Sequence, residues 1–286
     1  MEPIERSWKT KDGLNIYAKE FRPEGDARAV VCLVPGLGEH CNRYLHVARA
    51  FNDAGFALLT FDPRGHGRSE GQRGHAPTYD HLMDDIDLLL ENAEKLYPGK
   101  DRFLYGHSLG GNLVLNYAIR RQPKLAGVIS TSPGLLQAVE PPAWKTSIGK
   151  VMYNIWPTMS LANGLDREGL SRDHAVIDKY SSDPLVHDRI SARMGLDVIS
   201  SGKWAIEHAD EMRLPLLLVH GSADRITSCN GSDAFAAKVK GDVTFKLWEG
   251  GYHELHNEPD QAQVIQTLVD WVAARVHDTH VQTAAD

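Results

Sequence analysis

No apolar run in this sequence approaches the roughly 20 residues that a membrane-crossing helix needs, and lysine and arginine never gather into a block. The first absence leaves no spanning segment to expect. The second, with a net charge of −7, excludes nucleic acid as a partner, because holding a phosphate backbone takes clustered positive charge. Cysteine is scarce as well. The three present, Cys32, Cys41 and Cys229, are an odd number without paired short spacings, so neither a disulfide framework nor a cysteine zinc site is expected. The opening Met-Glu-Pro-Ile-Glu-Arg-Ser lacks the basic and then apolar pattern of a signal peptide. A cytoplasmic protein is the expectation. Internal repeats and low-complexity tracts are missing too.

What is present is an alternation. The 286 residues, 42% of them apolar, suit one large domain or one domain carrying an insertion. A hairpin signal at Asp12-Gly13 comes first. Apolar runs at Ala29–Val34, Phe56–Phe61, Arg102–Gly106, Leu125–Thr131, Leu214–His220 and Val243–Trp248 then read as strands. Helical spacing fills Arg43–Ala54, Thr78–Tyr97, Leu109–Arg121 and Pro259–Val276. Continuous apolar strands separated by amphipathic helices predict an α/β fold, a mainly parallel sheet with helices on both faces. The rhythm fails over 135–205, which holds Pro141-Pro142, Trp144 and Trp156 but no clear strand. We read that span as a helical insertion after the fourth parallel strand, with 1–134 and 206–286 as the core. The tail from Asp278 is expected to fray.

Ligand-binding and catalytic groups in such sheets gather outside the carboxyl ends of the strands. The third of these strands exits into Gly106-His107-Ser108-Leu109-Gly110, a G-x-S-x-G pattern. A strand-to-helix turn tight enough to lift a serine above the sheet leaves no room for flanking side chains. Ser108 is therefore a candidate nucleophile, the plainer reading being a glycine-rich turn with a capping serine. A serine hydroxyl needs a base, and the base an orienting acid. In this strand–turn–helix context the chain order is serine, acid, histidine. Asp224 follows the fifth strand and His253 the sixth, in that order. Asp224 could instead cap a turn, and His253 is one of fourteen histidines with His220 and His256 as near competitors. The oxyanion of an acyl-transfer reaction also needs donors. The backbone N–H groups of Leu37, in the loop after the first strand, and of Leu109 are the pair assigned to it, although Pro35–Gly38 could be an ordinary turn.

Gly-His-Ser-Leu-Gly-Gly (106–111), Gly-Ser-Ala-Asp-Arg (221–225) and Gly-Tyr-His-Glu (251–254) resemble the α/β-hydrolase superfamily. Pro-Gly-Leu-Gly-Glu-His-Cys-Asn-Arg-Tyr (35–44) is similar to the oxyanion loop of monoacylglycerol lipases, with Pro35 standing where the usual form has histidine. Asp-Pro-Arg-Gly-His-Gly-Arg-Ser-Glu-Gly (62–71), Leu-Ser-Arg-Asp (170–173) and Ser-Asp-Pro-Leu-Val (182–186) resemble further stretches of that family. The likeness runs from about Trp8 to Val276. It implies the α/β-hydrolase fold, a serine hydrolase that frees fatty acid from monoacylglycerol through an acyl-enzyme, and Ser108, Asp224 and His253 as its triad. It also implies that 135–205 is a helical cap forming an apolar acyl tunnel.

Ile148, Val151, Met152, Ile155 and Met159 fall on one helical face of that cap. Such a stripe either packs on the core or lines an acyl tunnel and touches a lipid or membrane surface, with Trp144 and Trp156 at the interface. Lysophospholipase and general carboxylesterase activities are the nearest enzymatic alternatives. A non-catalytic ligand-binding protein of the same fold is the remote one. His253-Glu254-Leu255-His256 is not a zinc H-E-x-x-H helix, and the glycines around His66 do not form a dinucleotide fingerprint. No metal or other cofactor is expected, and the sequence does not decide the oligomeric state.

Overall fold

The computed structural model describes residues 2–139 and 143–277. Pro141-Pro142 and the tail from Asp278 lie outside them. The chain opens with an antiparallel hairpin, β1 (Ile4–Lys9) and β2 (Asn15–Phe21), turned at Gly13 with φ +94°. Then come β3 (Ala29–Val34), α1 (Leu45–Asp53), β4 (Ala57–Phe61), α2 (Tyr79–Leu96), β5 (Asp101–His107), α3 (Leu109–Arg121) and β6 (Gly127–Thr131). An interrupting segment holds α4 (Ala143–Ile155), β7 (Ser160–Ala162), α5 (His174–Ser182), β8 (Arg189–Ser191) and α6 (Ala192–Glu207). The chain then returns to β9 (Leu216–Gly221), α7 (Cys229–Ala236), β10 (Val243–Trp248) and α8 (Gln261–Ala273).

One eight-stranded sheet runs in the order β1-β2-β4-β3-β5-β6-β9-β10. The β1–β2 and β2–β4 pairs are antiparallel; from β4 to β10 every neighbour is parallel. Strand side chains alternate between faces, and β3 shows how both are used. Val30, Cys32 and Val34 join the cluster built with α2 and α3, whereas Ala29, Val31 and Leu33 join the one built with α1 and α8. Burial on both sides is why β3, β4 and β9 are apolar along most of their length. Because the strands from β4 to β10 run parallel, their carboxyl ends all lie on the same edge. That edge collects the loops carrying residues 35–40, 106–108, 222–227 and 249–254. Among the described residues no helix is long and apolar enough to cross a membrane.

The interrupting segment departs from expectation in three ways. It contains strand: β7 and β8 pair antiparallel, Ser160 opposite Ser191 and Ala162 opposite Arg189. Three residues a side are too few to give a readable period. The boundary expected at residue 205 falls inside α6, which packs on α3. Asn112 Nδ2 donates to the Val198 carbonyl at 3.3 Å and Asn116 Nδ2 to that of Ser201 at 3.2 Å. Finally, α4 stops at Ile155, ahead of Trp156-Pro157, because a residue before proline is pushed out of helical geometry. Met159 therefore lies beyond the helix. On α4 itself, Ile148, Val151 and Ile155 are exposed and Met152 half-buried, so this stripe does not pack on the core. The short α7, whose sequence Cys-Asn-Gly-Ser-Asp-Ala-Phe-Ala has little apolar period, is an unexpected additional helix.

Candidate active site

The turn between β5 and α3 is built on close backbone approach. A Cβ on Gly106 would sit 2.2 Å from the Gly110 carbonyl oxygen, and one on Gly110 would sit 2.0 Å from that of Val34. Neither position admits a side chain. Between them Ser108 takes φ +55°, ψ −113°, a conformation strained for a residue with a Cβ and costing about 1–3 kcal/mol. Ser108 is the N-cap of α3, yet its side chain makes no capping bond. Its Oγ lies 2.9 Å from His253 Nε2 instead.

His253 Nδ1 is 2.8 Å from Asp224 Oδ2. The carboxylate only accepts, so Nδ1 carries the hydrogen and Nε2 is left to take one from Ser108. Asp224 also caps its own turn: Oδ1 accepts from the N–H groups of Ile226 at 2.8 Å and Thr227 at 3.0 Å. Capping and facing His253 are thus done by opposite oxygens of one carboxylate. Burial opposes ionisation of Asp224, but the His253 charge and the surrounding donors prevail and hold its pKa well below the usual carboxylate range. His253 is buried too, which by itself lowers an imidazole pKa. The Asp224 charge and hydrogen bond, then Glu254 and Glu39, outweigh this and keep it above the ordinary value.

The loop after β3 closes over the serine. A Cβ on Gly36 would lie 3.2 Å from Ser108 Cβ. Glu39 Oε1 accepts from the Gly36 N–H and from the Tyr44 hydroxyl, both at 2.6 Å. The Leu37 and Leu109 N–H groups have no hydrogen-bond partner among the described residues, which leaves both available to an oxyanion. Arg43 links this loop to the histidine turn, reaching Glu39 Oε2 at 2.8 Å and Glu254 at 2.6 and 2.7 Å. Its guanidinium also lies 4.7 Å over the Tyr180 ring, contributed by α5. The competing histidines are elsewhere. His256 is buried between Tyr44, at 4.7 Å, and His107, at 4.8 Å, and burial drives its pKa well down. His220 lies behind Asp224, 3.1 Å from Oδ2.

Glu39, Arg43, Glu254 and Thr227 were not singled out as site residues from sequence. Glu39 and Arg43 stand four apart within Gly-Glu-His-x-x-Arg-Tyr, a usable local signal. Glu254 is 211 residues from Arg43, and no spacing rule joins them. Of the cap candidates, Ile148 and Ile155 face outward from α4, and Met152 and Met159 are half-buried.

A family model described as serine aminopeptidase, S33, matches residues 25–260. The chain belongs to this family. It is a serine hydrolase with the α/β-hydrolase fold. It is 32% identical to the monoacylglycerol lipase of Mycolicibacterium smegmatis over 95% of this chain and 98% of that one. It is 36% identical to an uncharacterized abhydrolase domain-containing protein of Dictyostelium discoideum over 94% of its own length, but spans only 29% of that protein. The crystal structure of Paleococcus ferrophilus monoacylglycerol lipase superposes with a TM-score of 0.82 at 37% identity, covering 96% of this chain and all of the other. The Mycolicibacterium and Paleococcus proteins, both matched over nearly their full length, are named as monoacylglycerol lipases.

Proposed function

We propose that this S33-family hydrolase releases fatty acid from monoacylglycerol through an acyl-enzyme on Ser108. The observation that carries the reading is the unbroken line from Ser108 Oγ through His253 to Asp224, at 2.9 and 2.8 Å. His253 Nε2 takes the hydroxyl proton as Oγ attacks the ester carbonyl. Asp224 holds the tautomer and stabilises the imidazolium. The Leu37 and Leu109 N–H groups receive the oxyanion. His253 then protonates the departing glycerol oxygen, and water, deprotonated by the same imidazole, frees the fatty acid. The likeness to monoacylglycerol lipases along the whole chain supports the substrate class.

Two rival substrates fit the surroundings less well. An aminopeptidase needs a carboxylate for the substrate's ammonium group, but Glu39, Glu254 and Asp224 are each already engaged by Arg43 or by a histidine. A lysophospholipase needs a cation for the headgroup phosphate, and Arg43 is committed to two glutamates. In the same reading, 135–205 is the cap over the strand exits, with α6 as its junction to the core. The exposed apolar side of α4, with Trp156 beside it, meets the lipid surface from which substrate is drawn.

The test compares fatty-acid release from a medium-chain monoacylglycerol by wild type and Ser108→Ala, alongside the matching lysophospholipid and an aminoacyl anilide. Release by wild type that drops on the order of 10⁴-fold or more in the variant, with slow turnover of the other two, is the expected outcome. Equal rates in both proteins would remove Ser108. Faster anilide or lysophospholipid turnover would keep the relay and replace the substrate.

A further inference from the structure

His220, the buried histidine near the end of β9, has Ser232, Asp224 and Thr227 as its hydrogen-bond partners, and so shares the Asp224 carboxylate with His253. Its Nε2 lies 3.1 Å from Asp224 Oδ2, 3.2 Å from the Thr227 carbonyl oxygen and 3.3 Å from Thr227 Oγ1. Carboxylate and carbonyl oxygens only accept, so Nε2 carries a hydrogen. On the other side, Nδ1 lies 2.7 Å from Ser232 Oγ, a hydroxyl on α7 able to donate to it. Both ring nitrogens are satisfied in that single tautomer, with the ring wholly buried. Thr227 Oγ1 adds a third donor to Oδ2 at 2.9 Å.

We propose that His220 is a positioning residue of the hydrolytic relay, held in one tautomer by Ser232 and fixing the Asp224 carboxylate toward His253. A carboxylate with both oxygens in water can rotate. Here Oδ1 is pinned by the turn it caps, and Oδ2 is pinned from behind by His220. The second imidazole also withdraws electron density from Oδ2, which lessens the pull of Asp224 on the His253 proton. Removing it makes Asp224 a stronger base and His253 harder to deprotonate. The other groups around His253 stay in place: Glu39 and its partner Arg43 from the segment after β3, His107 from β5 at 4.9 Å between ring centroids, and Glu254 and His256 from its own turn.

This inference rests on the serine-hydrolase reading above, and the experiment separates the two. Wild type, Ser108→Ala, His220→Leu, His220→Gln and Ser232→Ala are assayed with p-nitrophenyl butyrate from pH 5 to 9. Fluorophosphonate titration counts competent sites. Expected for His220→Leu is a kcat lower by about tenfold per competent site, short of the loss from removing a relay member, with KM little changed. The acid limb of kcat/KM moves to higher pH. His220→Gln, which can still donate to Oδ2, recovers most of kcat, and Ser232→Ala shows a smaller loss in the same direction. A folded His220→Leu with wild-type kcat and acid limb overturns the proposal, as does a kcat loss with an unmoved limb or a Gln variant no better than Leu. If His220→Leu does not fold, Ser232→Ala decides alone: lower kcat with a shifted limb supports the role, and unchanged kinetics end it. An active Ser108→Ala would sink the underlying reading, whatever His220 does.

Discussion

The ground beneath Ser108 and the outer side of α4 are two surfaces of one molecule held by opposite means. Under Ser108, four loops far apart in sequence are tied by charge-assisted bonds: Glu39 to Gly36 and Tyr44, Arg43 to both glutamates, Asp224 to two histidines and two backbone N–H groups. On α4, Ile155 is 77% exposed and Val151 54%, and solvent covers what a core would otherwise take. The first surface is specified by direction, since hydrogen bonds weaken steeply with angle. The second is specified only by area, since apolar burial has no preferred direction. Positioned chemistry belongs on the former. A non-directional contact, such as a lipid surface, suits the latter.

The largest contrast comes from breaking a directional bond without changing shape. Asp224→Asn keeps the turn-capping oxygen but offers His253 an amide that can donate. The imidazole then adopts the wrong tautomer and no longer accepts from Ser108. A kcat loss of about 10⁴-fold is expected, together with a loss of stability because the new amide faces the buried His220 and Thr227 donors, checked by steady-state rates alongside urea unfolding. The sign with pH follows from the two shifted groups. His253 has its pKa raised by folding, so kcat/KM climbs as pH rises through a value above the ordinary imidazole one. The stability that pairing gives His253 is full at lower pH and fades over that same interval. Asp224 runs the other way. Its pKa is lowered by folding, so its contribution is present above the usual carboxylate range and is lost only as strong acid protonates it.

A smaller but still large effect follows from Arg43→Met. Glu39 and Glu254, 3% and 2% exposed, would face each other without their cation. Breaking a buried pair in this way costs about 3–5 kcal/mol. The cost should shrink at pH 5 relative to pH 7. Arg43 holds the Glu254 carboxyl below its ordinary range in the native protein, and without it burial favours the neutral acid, which folds at little penalty. Urea unfolding at the two pH values measures this. A penalty equal at both would mean that the network is held by packing rather than by charge.

How much of this contrast the sequence displays depends on range. Ser108, Asp224 and His253 were legible because each sits a few residues beyond an apolar strand run, and the elbow glycines mark a turn that excludes side chains. The parallel sheet was legible for a related reason: strands buried on both faces lose their alternation and become continuous apolar runs. The Arg43–Glu254 bond was not, because only the fold brings together residues so far apart in the chain. His220 was visible only as a competitor to His253, since a histidine's job is set by its neighbours in space. The β7–β8 pair was hidden by its length, and the end of α6 by a helix that serves insertion and core at once.

The smallest expected effect on the folded protein falls on α4, and that smallness is the point. Ile148→Ser combined with Ile155→Ser removes apolar groups that already face solvent. Stability should move by no more than about 0.5 kcal/mol per site, and hydrolysis of a dissolved short-chain ester should stay at the wild-type rate. Partitioning onto neutral phosphatidylcholine vesicles should fall at least about tenfold, because the two changes remove several methylene equivalents worth about 0.8 kcal/mol each when fully buried in a membrane, and tenfold needs burial of only about two of them. Turnover of vesicle-borne monoacylglycerol should fall with it. Neutral vesicles are the sharper choice, because nothing in the argument calls on anionic headgroups. Flotation of wild type and variant with these vesicles measures the difference. A variant that floats like wild type while losing stability would mean that the stripe packs inward in solution, and the division between a directional floor and an area-driven roof would fail there.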